Sequence, residues 1–203
     1  MELEGITWIG PPLEDDEFVA LLPADLGALL QQLNGFILRG GALHVRGAVA
    51  EPSWHSLRRY WTGDTALHVL YEGVSVDDLP FAQDCVGDQF LLRSNEVWRV
   101  SAEYGGLEPL GLKLFPFLEA AARDPLEFLC AQPLANYTSD GARLQPGELL
   151  FAYPPFCVSE ANEGVSLAAI PADEVIAVHA KLAEEIRDLP DGASIVIKPT
   201  QAD

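Results

Sequence analysis

Two aspartates, Asp84 and Asp88, are the residues of this sequence best placed to do chemistry. They lie four positions apart in the segment from Pro80 to Arg93, which combines a proline, a glycine and an apolar run. Two carboxylates that face one cleft can act as a general acid and a general base. Carboxylates beside a glycine turn also commonly accept hydrogen bonds from backbone amides, which would explain the same spacing. The pattern predicts either an acid–base pair or a capped turn, and we favour the capped turn.

The histidines and cysteines show no spacing that is typical of a metal site or of an activated nucleophile. The four histidines occupy separate segments without a His-x-x-x-His pattern, so we expect surface or half-buried residues. Cys85 has acidic neighbours, which raise a thiol pKa, and Cys157 has no basic group nearby in the sequence. The glycine patterns of nucleotide-binding loops and of serine hydrolases are also missing. The sequence thus predicts no metal, no cofactor and no catalytic residue.

The composition is strongly acidic, with 12 basic and 31 acidic side chains and a net charge of −19. A field of this sign repels phosphate backbones and anionic lipids and attracts basic proteins, although high charge also serves solubility alone. Three widely spaced cysteines predict no disulfide framework, and no apolar run is long enough to span a bilayer. Because a basic signal region is absent as well, we expect a cytoplasmic protein that contacts neither nucleic acid nor membrane.

Apolar spacing in the first third of the chain predicts a helix followed by a strand hairpin. Leucines at offsets of four, seven, eight and eleven from Leu22 predict a helix from about Pro23 to Asn34. Residues 36–38 and 43–45 flank a glycine-rich turn and are typical of paired strands. The acidic run at 14–17 favours the first turn of a short helix. A further helix capped by Ser53 and a helical segment within 64–71 complete this part.

The segment from Pro80 onward is predicted to lie at the centre of a sheet. Pro80 and Gly87 favour a tight approach to the apolar run 90–92, which is typical of a strand covered on both faces. A turn at 94–96 then leads to a second strand at 97–101, so we expect a central hairpin.

The C-terminal half predicts helices that cover this sheet and a second strand pair. Helical patterns occur within 110–121 and after the cap at Asp124, strands at 149–153 and 165–170, a helix at about 171–189 and a strand at 194–198. Segregated helices and hairpins predict an α+β fold with a mainly antiparallel sheet and helices packed against it. Length and composition predict one domain over residues 1–198 and a short tail at 199–203.

Several of these residues also form a wider set of motifs. The set comprises Trp8, Gly10, Pro11, Pro12, Leu22, Pro23, Asp25, Leu26, Asn34, Gly35, Pro80, Phe81, Ala82, Asp84, Gly87, Asp88 and Phe90. In these residues the chain resembles the SUKH superfamily, of the Smi/Knr type, and the resemblance covers most of the chain from Trp8 to the predicted terminal strand. The group around Pro80 is its most specific part.

The resemblance implies an α+β domain without catalysis. Members occur in fungal regulators of cell-wall synthesis and in bacterial immunity proteins that neutralise polymorphic toxins, often nucleases. This chain departs from many relatives at Leu26, where an aromatic residue is common, and in the region 154–157, which a minimal domain need not have. These departures leave room for a different binding surface.

We therefore expect a binding module that occludes a basic toxin domain. The partner-binding candidates are exposed acids near loops, namely Asp77, Asp78, Asp84, Asp88, Glu160 and Glu163. One alternative is a scaffold or regulatory protein that holds a cell-wall or signalling enzyme. The other is a hydrolase that uses Asp84, Asp88 or Cys157.

Overall fold

The computed structural model describes residues 3–190 and 192–193. Within them, seven strands form an antiparallel sheet in which neighbours in the chain are neighbours in space. These strands are β1 (Ile6–Ile9), β2 (Phe36–Leu38), β3 (Leu43–Val45), β4 (Leu79–Asp84), β5 (Gln89–Arg93), β6 (Glu96–Val100) and β7 (Leu107–Pro109). A separate antiparallel pair joins β8 (Glu148–Tyr153) to β9 (Ser166–Pro171). Both predicted hairpins, 36–45 and 90–100, are confirmed.

Helices in the described residues cover the large sheet and connect its strands. They are α1 (Asp16–Val19), α2 (Ala24–Gln32), α3 (Leu57–Trp61), α4 (Leu67–Leu70), α5 (Leu114–Arg123), α6 (Pro125–Phe128), α7 (Gln132–Thr138) and α8 (Ala172–Ile186). Short 3₁₀ turns occur at Ser53–His55 and Ser159–Glu163. The architecture confirms the predicted α+β class.

Side-chain caps explain where several short helices begin. Asp15 accepts a hydrogen bond from the amide of Phe18 at 2.9 Å and starts α1 within the acidic run. Asp124 accepts the amide of Glu127 at 3.2 Å, which confirms the predicted cap of α6. The cap predicted at Ser53 is wrong, because Ser53 begins a 3₁₀ turn and Ser56 caps α3.

The central strands are buried on both faces, as the apolar run 90–92 predicted. Phe90 and Leu92 belong to an apolar core with α2 and α5, whereas Leu91 belongs to a second core against α8. Side chains alternate along a strand, so one short segment contributes to both cores. Because β5 lies between two layers of helices, it occupies the centre of the molecule.

The prediction that Pro80 belongs to a tight approach before the strand is wrong, because residues 79–84 themselves form the strand β4. Pro80 lacks an amide proton, and the pairing of β4 with β5 shifts between Pro80 and Ala82. Phe81 is the additional residue of this β-bulge. Proline in a central strand is tolerated at such a bulge, where the ladder is already interrupted.

Motif residues from distant parts of the sequence meet at the corner between α2 and β2. The amide of Gly10 donates to the carbonyl of Gly35 at 3.0 Å, and the Asn34 side chain donates to the Pro11 carbonyl at 3.0 Å. Gly35 has a φ of 77°, and a Cβ there would lie 2.4 Å from the ring of His55. Glycine at position 35 is therefore required by both backbone conformation and space.

Three features of the C-terminal half differ from expectation. Helix α7 and strand β7 carried no clear periodicity and were not predicted. The apolar spacing of the final helix predicts a buried stripe of Val175, Val178, Leu182, Ile186 and Leu189. Val178 and Leu189 are instead 46% and 43% exposed, and the buried residues include Val175, Ile176 and Leu182. The strand at 194–198 and the tail at 199–203 lie outside the described residues, so the domain boundary stays a prediction.

Candidate partner-binding surface

Asp84 and Asp88 build a turn between β4 and β5. One carboxylate oxygen of Asp84, Oδ1, accepts hydrogen bonds from the amides of Val86, Gly87 and Asp88, each at 3.0 Å. Asp88 Oδ1 accepts the amide of Ala102 at 2.8 Å. Both carboxylates therefore satisfy backbone donors, which confirms the capped-turn interpretation.

The electrostatic setting of this turn is unusual because two carboxylates share it. Burial raises the pKa of Asp84, and the charge of Asp88 raises it further, against the lowering effect of the three amides. Burial also raises the pKa of Asp88, while the amide of Ala102 and the charge of Arg99 oppose the shift. The amide contacts hold Asp84 in place in spite of its desolvation.

Replacing Asp84 by alanine should lower the free energy of unfolding by about 2–4 kcal/mol, because buried amide donors then lack an acceptor. Asp84→Asn keeps an acceptor oxygen and should lose less. The exposed Asp77 supplies the control, since Asp77→Ala should change stability by at most about 0.5 kcal/mol. Equal urea midpoints for Asp84→Ala and Asp77→Ala would contradict a structural role for Asp84.

The six candidate acids do not share one exposure class. The prediction of exposed acids is wrong for Asp78 and Asp84, which are each 3% exposed. Asp78 Oδ1 accepts from Arg93 Nε at 2.7 Å, and its other oxygen also contacts the guanidinium. Asp88 is half-buried. Exposed carboxylates remain at Asp77, Glu160 and Glu163.

The candidates are also divided between two ends of the sheet. Asp77 and Asp78 precede β4, whereas Asp84 ends it, so the length of a six-residue strand, about 20 Å, separates them. Asp88 lies instead near Glu103, whose charge influences its pKa. The residue that follows, Tyr104, lines the same hollow as Glu160. The structure thus places Asp88 near Glu103 and Glu160 near Tyr104, whereas Asp77 lies about a strand length from Asp84.

A surface with aromatic and acidic residues lies at the Glu160 end, and we call it the Tyr104 surface. It consists of Tyr104, Phe156, Cys157, Glu160 and Leu189, most of which surround a hollow of about 690 Å³. Arg187, which is paired with Glu72, also lines this hollow. Tyr104, Phe156 and Leu189 are 55%, 40% and 43% exposed. None of the apolar members was a sequence-based candidate, because each belongs to a different loop or helix end.

A buried carboxylate fixes the loop that carries Phe156. Glu103 is 7% exposed, and its two oxygens accept the amides of Phe156 at 3.0 Å and of Cys157 at 2.7 Å. His179 of α8 lies behind it, with Nε2 at 4.0 Å from Glu103 Oε1. Burial lowers the pKa of His179 to about 4, so the ring is neutral at pH 7. The anchoring carboxylate presents Phe156 in a defined position.

Cys157 is part of this surface but is not an activated thiol. Burial and the neighbouring Glu103 carboxylate raise the pKa of Cys157 to about 11, which keeps the sulfur protonated at neutral pH. Burial also raises the pKa of Cys85, whose side chain is fully enclosed. Both pKa shifts agree with the interpretation that neither thiol is activated, and the expected burial is confirmed for Cys85 but is wrong for Cys157, which is exposed.

The expectation of surface or half-buried histidines is wrong for His44, His55 and His179, which are all buried. His44 and His55 are joined in one polar chain. His55 Nε2 lies 3.0 Å from the carbonyl of Asn34, and His55 Nδ1 lies 2.8 Å from His44 Nε2. His44 Nδ1 in turn lies 3.4 Å from the side-chain amide of Gln83. A backbone carbonyl can only accept, so His55 Nε2 carries a proton, and His44 Nε2 then donates to His55 Nδ1.

Arg46 completes this polar chain at the β4 bulge. Its Nη2 donates to Gln83 Oε1 and Gln89 Oε1, both at 2.6 Å, and its Nη1 donates to the Pro80 carbonyl at 2.9 Å. Arg46 has no exposed surface. We call Asn34, His55, His44, Gln83, Gln89 and Arg46 the buried polar network. Sequence reasoning missed it because its members are far apart in the chain.

The described residues contain neither a membrane-spanning helix nor a cluster of metal ligands. No α-helix in that part of the chain has the length and apolar character needed to cross a bilayer. Among the same residues, no three His, Cys, Asp or Glu side chains are grouped so that they could hold a metal ion.

Sequence comparisons add no relative to this description. No protein-family model matches the chain, and no curated protein matches it at a significant level.

Proposed function

We propose that this protein is a cytoplasmic, non-enzymatic binding module of the SUKH type that neutralises a basic toxin domain, such as a nuclease. The observation that carries the proposal is the Tyr104 surface, where exposed aromatic side chains stand beside the carboxylate of Glu160 on a loop held by Glu103. The function rests on contact with another protein rather than on turnover.

The apolar part of the Tyr104 surface supports protein binding. Tyrosine and other aromatic residues are enriched at the energetic centres of protein interfaces, where they bury large areas at a small loss of side-chain entropy. Tyr104 and Phe156 expose about half of their surface to solvent. Because backbone anchoring already restrains Phe156, little further ordering is needed when a partner covers it.

The charge of the protein supports a basic partner. Most cations of the described residues are already paired with carboxylates, as in Arg58–Asp15, Arg59–Asp173 and Arg187–Glu72. Many exposed acids have no such cation, and the net charge is −19. Nuclease clefts are basic because they bind phosphate, so an acidic protein is steered towards them and competes with nucleic acid.

The alternatives place different demands on the same residues. A scaffold would use the Tyr104 surface without blocking an activity of its partner. A hydrolase built on Asp84, Asp88 or Cys157 would need a free carboxylate or thiolate, whereas these aspartates accept backbone amides and the pKa of the thiol is raised. These contacts favour the binding proposal.

Co-expression with the product of the adjacent gene tests the proposal. We expect the wild-type protein to bind that product and to protect cells from it. Phe156→Ala and Glu160→Lys should each weaken binding about tenfold or more, because they remove an aromatic anchor and reverse a charge that faces the basic partner.

Two exposed residues away from the Tyr104 surface give matched controls. Leu21→Ala and Glu119→Lys should leave the dissociation constant and the protection unchanged. Binding without protection would favour the scaffold alternative, and absence of any complex with the neighbouring product would overturn the proposal. Loss of binding in all four variants would argue against the Tyr104 surface.

A further inference from the structure

A second concave site lies elsewhere in the molecule, between the first strands of the sheet and the segment from α7 to β8. Its volume is about 520 Å³, within the range of small-molecule sites, and it shares no lining residue with the hollow of the Tyr104 surface. Its apolar walls include Trp8, Ile37, Leu126, Leu134 and Leu144. We call this site the Trp8 cleft.

Two arginines, Arg39 and Arg143, line the Trp8 cleft. Neither forms an ion pair with a carboxylate in the described part of the chain. The Arg39 side chain donates one hydrogen bond, to the carbonyl of Ala122 at 3.1 Å, and packs against Gly5, and both arginines are exposed. Five of the eleven lysines and arginines in the described residues have no carboxylate partner, and two of these five line one cavity.

The one carboxylate in the lining does not neutralise these arginines directly. Glu148 is half-buried, and its Oε2 accepts the amide of Gln145 at 2.8 Å. The cleft therefore presents the Arg143 guanidinium, an Arg39 guanidinium that is partly engaged by the Ala122 carbonyl, and one carboxylate that is already engaged. Charge complementarity at this place favours an anion, in contrast to the rest of the surface.

The polar floor of the cleft offers few free hydrogen-bonding groups. His44 and Gln83 reach the lining, yet both belong to the buried polar network and bond to each other and to its other members. A ligand would obtain its affinity from the apolar walls and its orientation from the arginines. Such a site selects for a molecule that has one anionic end and an apolar body.

We propose that the Trp8 cleft binds a small amphipathic anion, with its apolar body on the walls formed by Trp8, Ile37 and Leu134 and its anionic head at Arg143 and Arg39. The site is independent of the proposed protein-binding function. Guanidinium groups match carboxylates in geometry and charge, so a medium-chain carboxylate represents the class.

Titration with decanoate, decanol and decyltrimethylammonium tests the inference, with the two ions below their micelle-forming concentrations and decanol below its solubility limit. Tryptophan fluorescence reports binding, because Trp8 lies in the cleft wall. We expect decanoate to bind at least about fivefold more tightly than decanol, which corresponds to roughly 1 kcal/mol for one charge-assisted contact. The cationic analogue should bind most weakly.

Variants with matched charge changes locate the site. Arg143→Gln should weaken decanoate binding about fivefold without changing the affinity for decanol. Lys113→Gln removes one positive charge from an exposed residue that does not line the cleft, and it should leave decanoate binding unchanged. Ala135→Phe places a ring into the cleft and should abolish binding of both ligands.

Near-ultraviolet circular dichroism of each variant shows that it is folded. The proposal is overturned if decanol binds as tightly as decanoate, if no decyl ligand binds to the wild type, or if Arg143→Gln and Lys113→Gln have equal effects. It is also overturned if folded Ala135→Phe binds decanoate as the wild type does, since the ligand would then occupy another place.

Discussion

Replacing Arg46 by methionine should lower the free energy of unfolding by about 3–5 kcal/mol, the largest loss that we expect from one substitution in this protein. Arg46 is fully buried, and its guanidinium carbon lies 4.0 Å from the centroid of the Tyr60 ring. Burial lowers its pKa to about 10, so the group still carries its charge at pH 7.

The expected loss follows from the acceptors that Arg46 satisfies at the β4 bulge. Its backbone amide donates to the Phe81 carbonyl at 2.9 Å, and Nη1 contacts the carbonyls of Pro80 and Ala82 at 2.9 and 3.4 Å. Arg46 is thus a hydrogen-bond donor to three consecutive carbonyls of an irregular strand. Methionine keeps most of the volume and the backbone contact but leaves the other acceptors unsatisfied in the core.

Urea unfolding of Arg46→Met, Arg46→Lys and Arg123→Met measures this effect. Lysine keeps the charge but not the planar fork, so Arg46→Lys should also be clearly destabilised. Arg123 is exposed at the end of α5, and Arg123→Met should change stability by at most about 0.5 kcal/mol. Stability of Arg46→Met within 1 kcal/mol of the wild type, roughly the error of such measurements, would refute the argument.

Acidification from pH 7 to pH 5 should remove about 2 kcal/mol of stability through each of His55 and His179, because these buried rings resist protonation. Burial lowers the pKa of His55 and of His179 to about 4 each, and it lowers that of His44 well below its ordinary value. His55 and His179 each contribute up to about 1.4 kcal/mol per pH unit between 6.5 and 4.

The sign follows from proton uptake in the two states. Between pH 6.5 and 4 an unfolded histidine binds a proton, whereas the folded, desolvated ring stays neutral. The unfolded state therefore binds more protons, and stability is lost as the pH falls. The raised pKa values of Asp84 and Asp88 have the opposite effect on stability, because these carboxylates bind protons at a higher pH in the folded state than in the unfolded state.

His179→Leu isolates one histidine from these opposing effects. Both ring nitrogens of His179 lack a hydrogen-bond partner among the described residues, so leucine removes a titrating group and leaves no new orphan. We expect this variant to gain about 2 kcal/mol on the wild type at pH 5 relative to pH 7.5. Phe151→Leu changes the neighbouring ring, 6.0 Å away, and should shift stability equally at both pH values.

A difference between His179→Leu and wild type that is the same at pH 5 and pH 7.5 would show that His179 titrates alike in the folded and unfolded states. Urea midpoints at the two pH values, with one m-value per variant, provide the measurement.

Local patterns predicted the elements whose causes are local. The spacing of Leu22, Leu26 and Leu30 indicated α2 because one helix face repeats every three to four residues. The cap at Asp124 acts over three residues and was predicted correctly. Short elements such as β7 were missed, because three residues carry no periodicity that separates a strand from a loop.

The buried polar network was not predictable from local sequence for the opposite reason. Arg46 bonds to residues that are 34 to 43 positions away, and an isolated arginine between apolar residues is typical of a surface position. The same applies to the Tyr104 surface, where Tyr104, Phe156 and Leu189 meet only after the chain has folded. By contrast, the turn role of Asp84 could be inferred, because its partners are two to four residues away.

The direction of the hydrogen bonds in the buried polar network has a consequence for local opening of the fold. Along the chain from Arg46 through Gln83, His44 and His55 to the Asn34 carbonyl, each side chain donates a hydrogen bond to the next group. If one of these bonds breaks, the neighbouring side chain is no longer held in the orientation and tautomer that its own hydrogen bond requires. The end of α2 and the strands β3, β4 and β5 should therefore open as one cooperative unit. Their amides would exchange with solvent at a common free energy close to that of global unfolding.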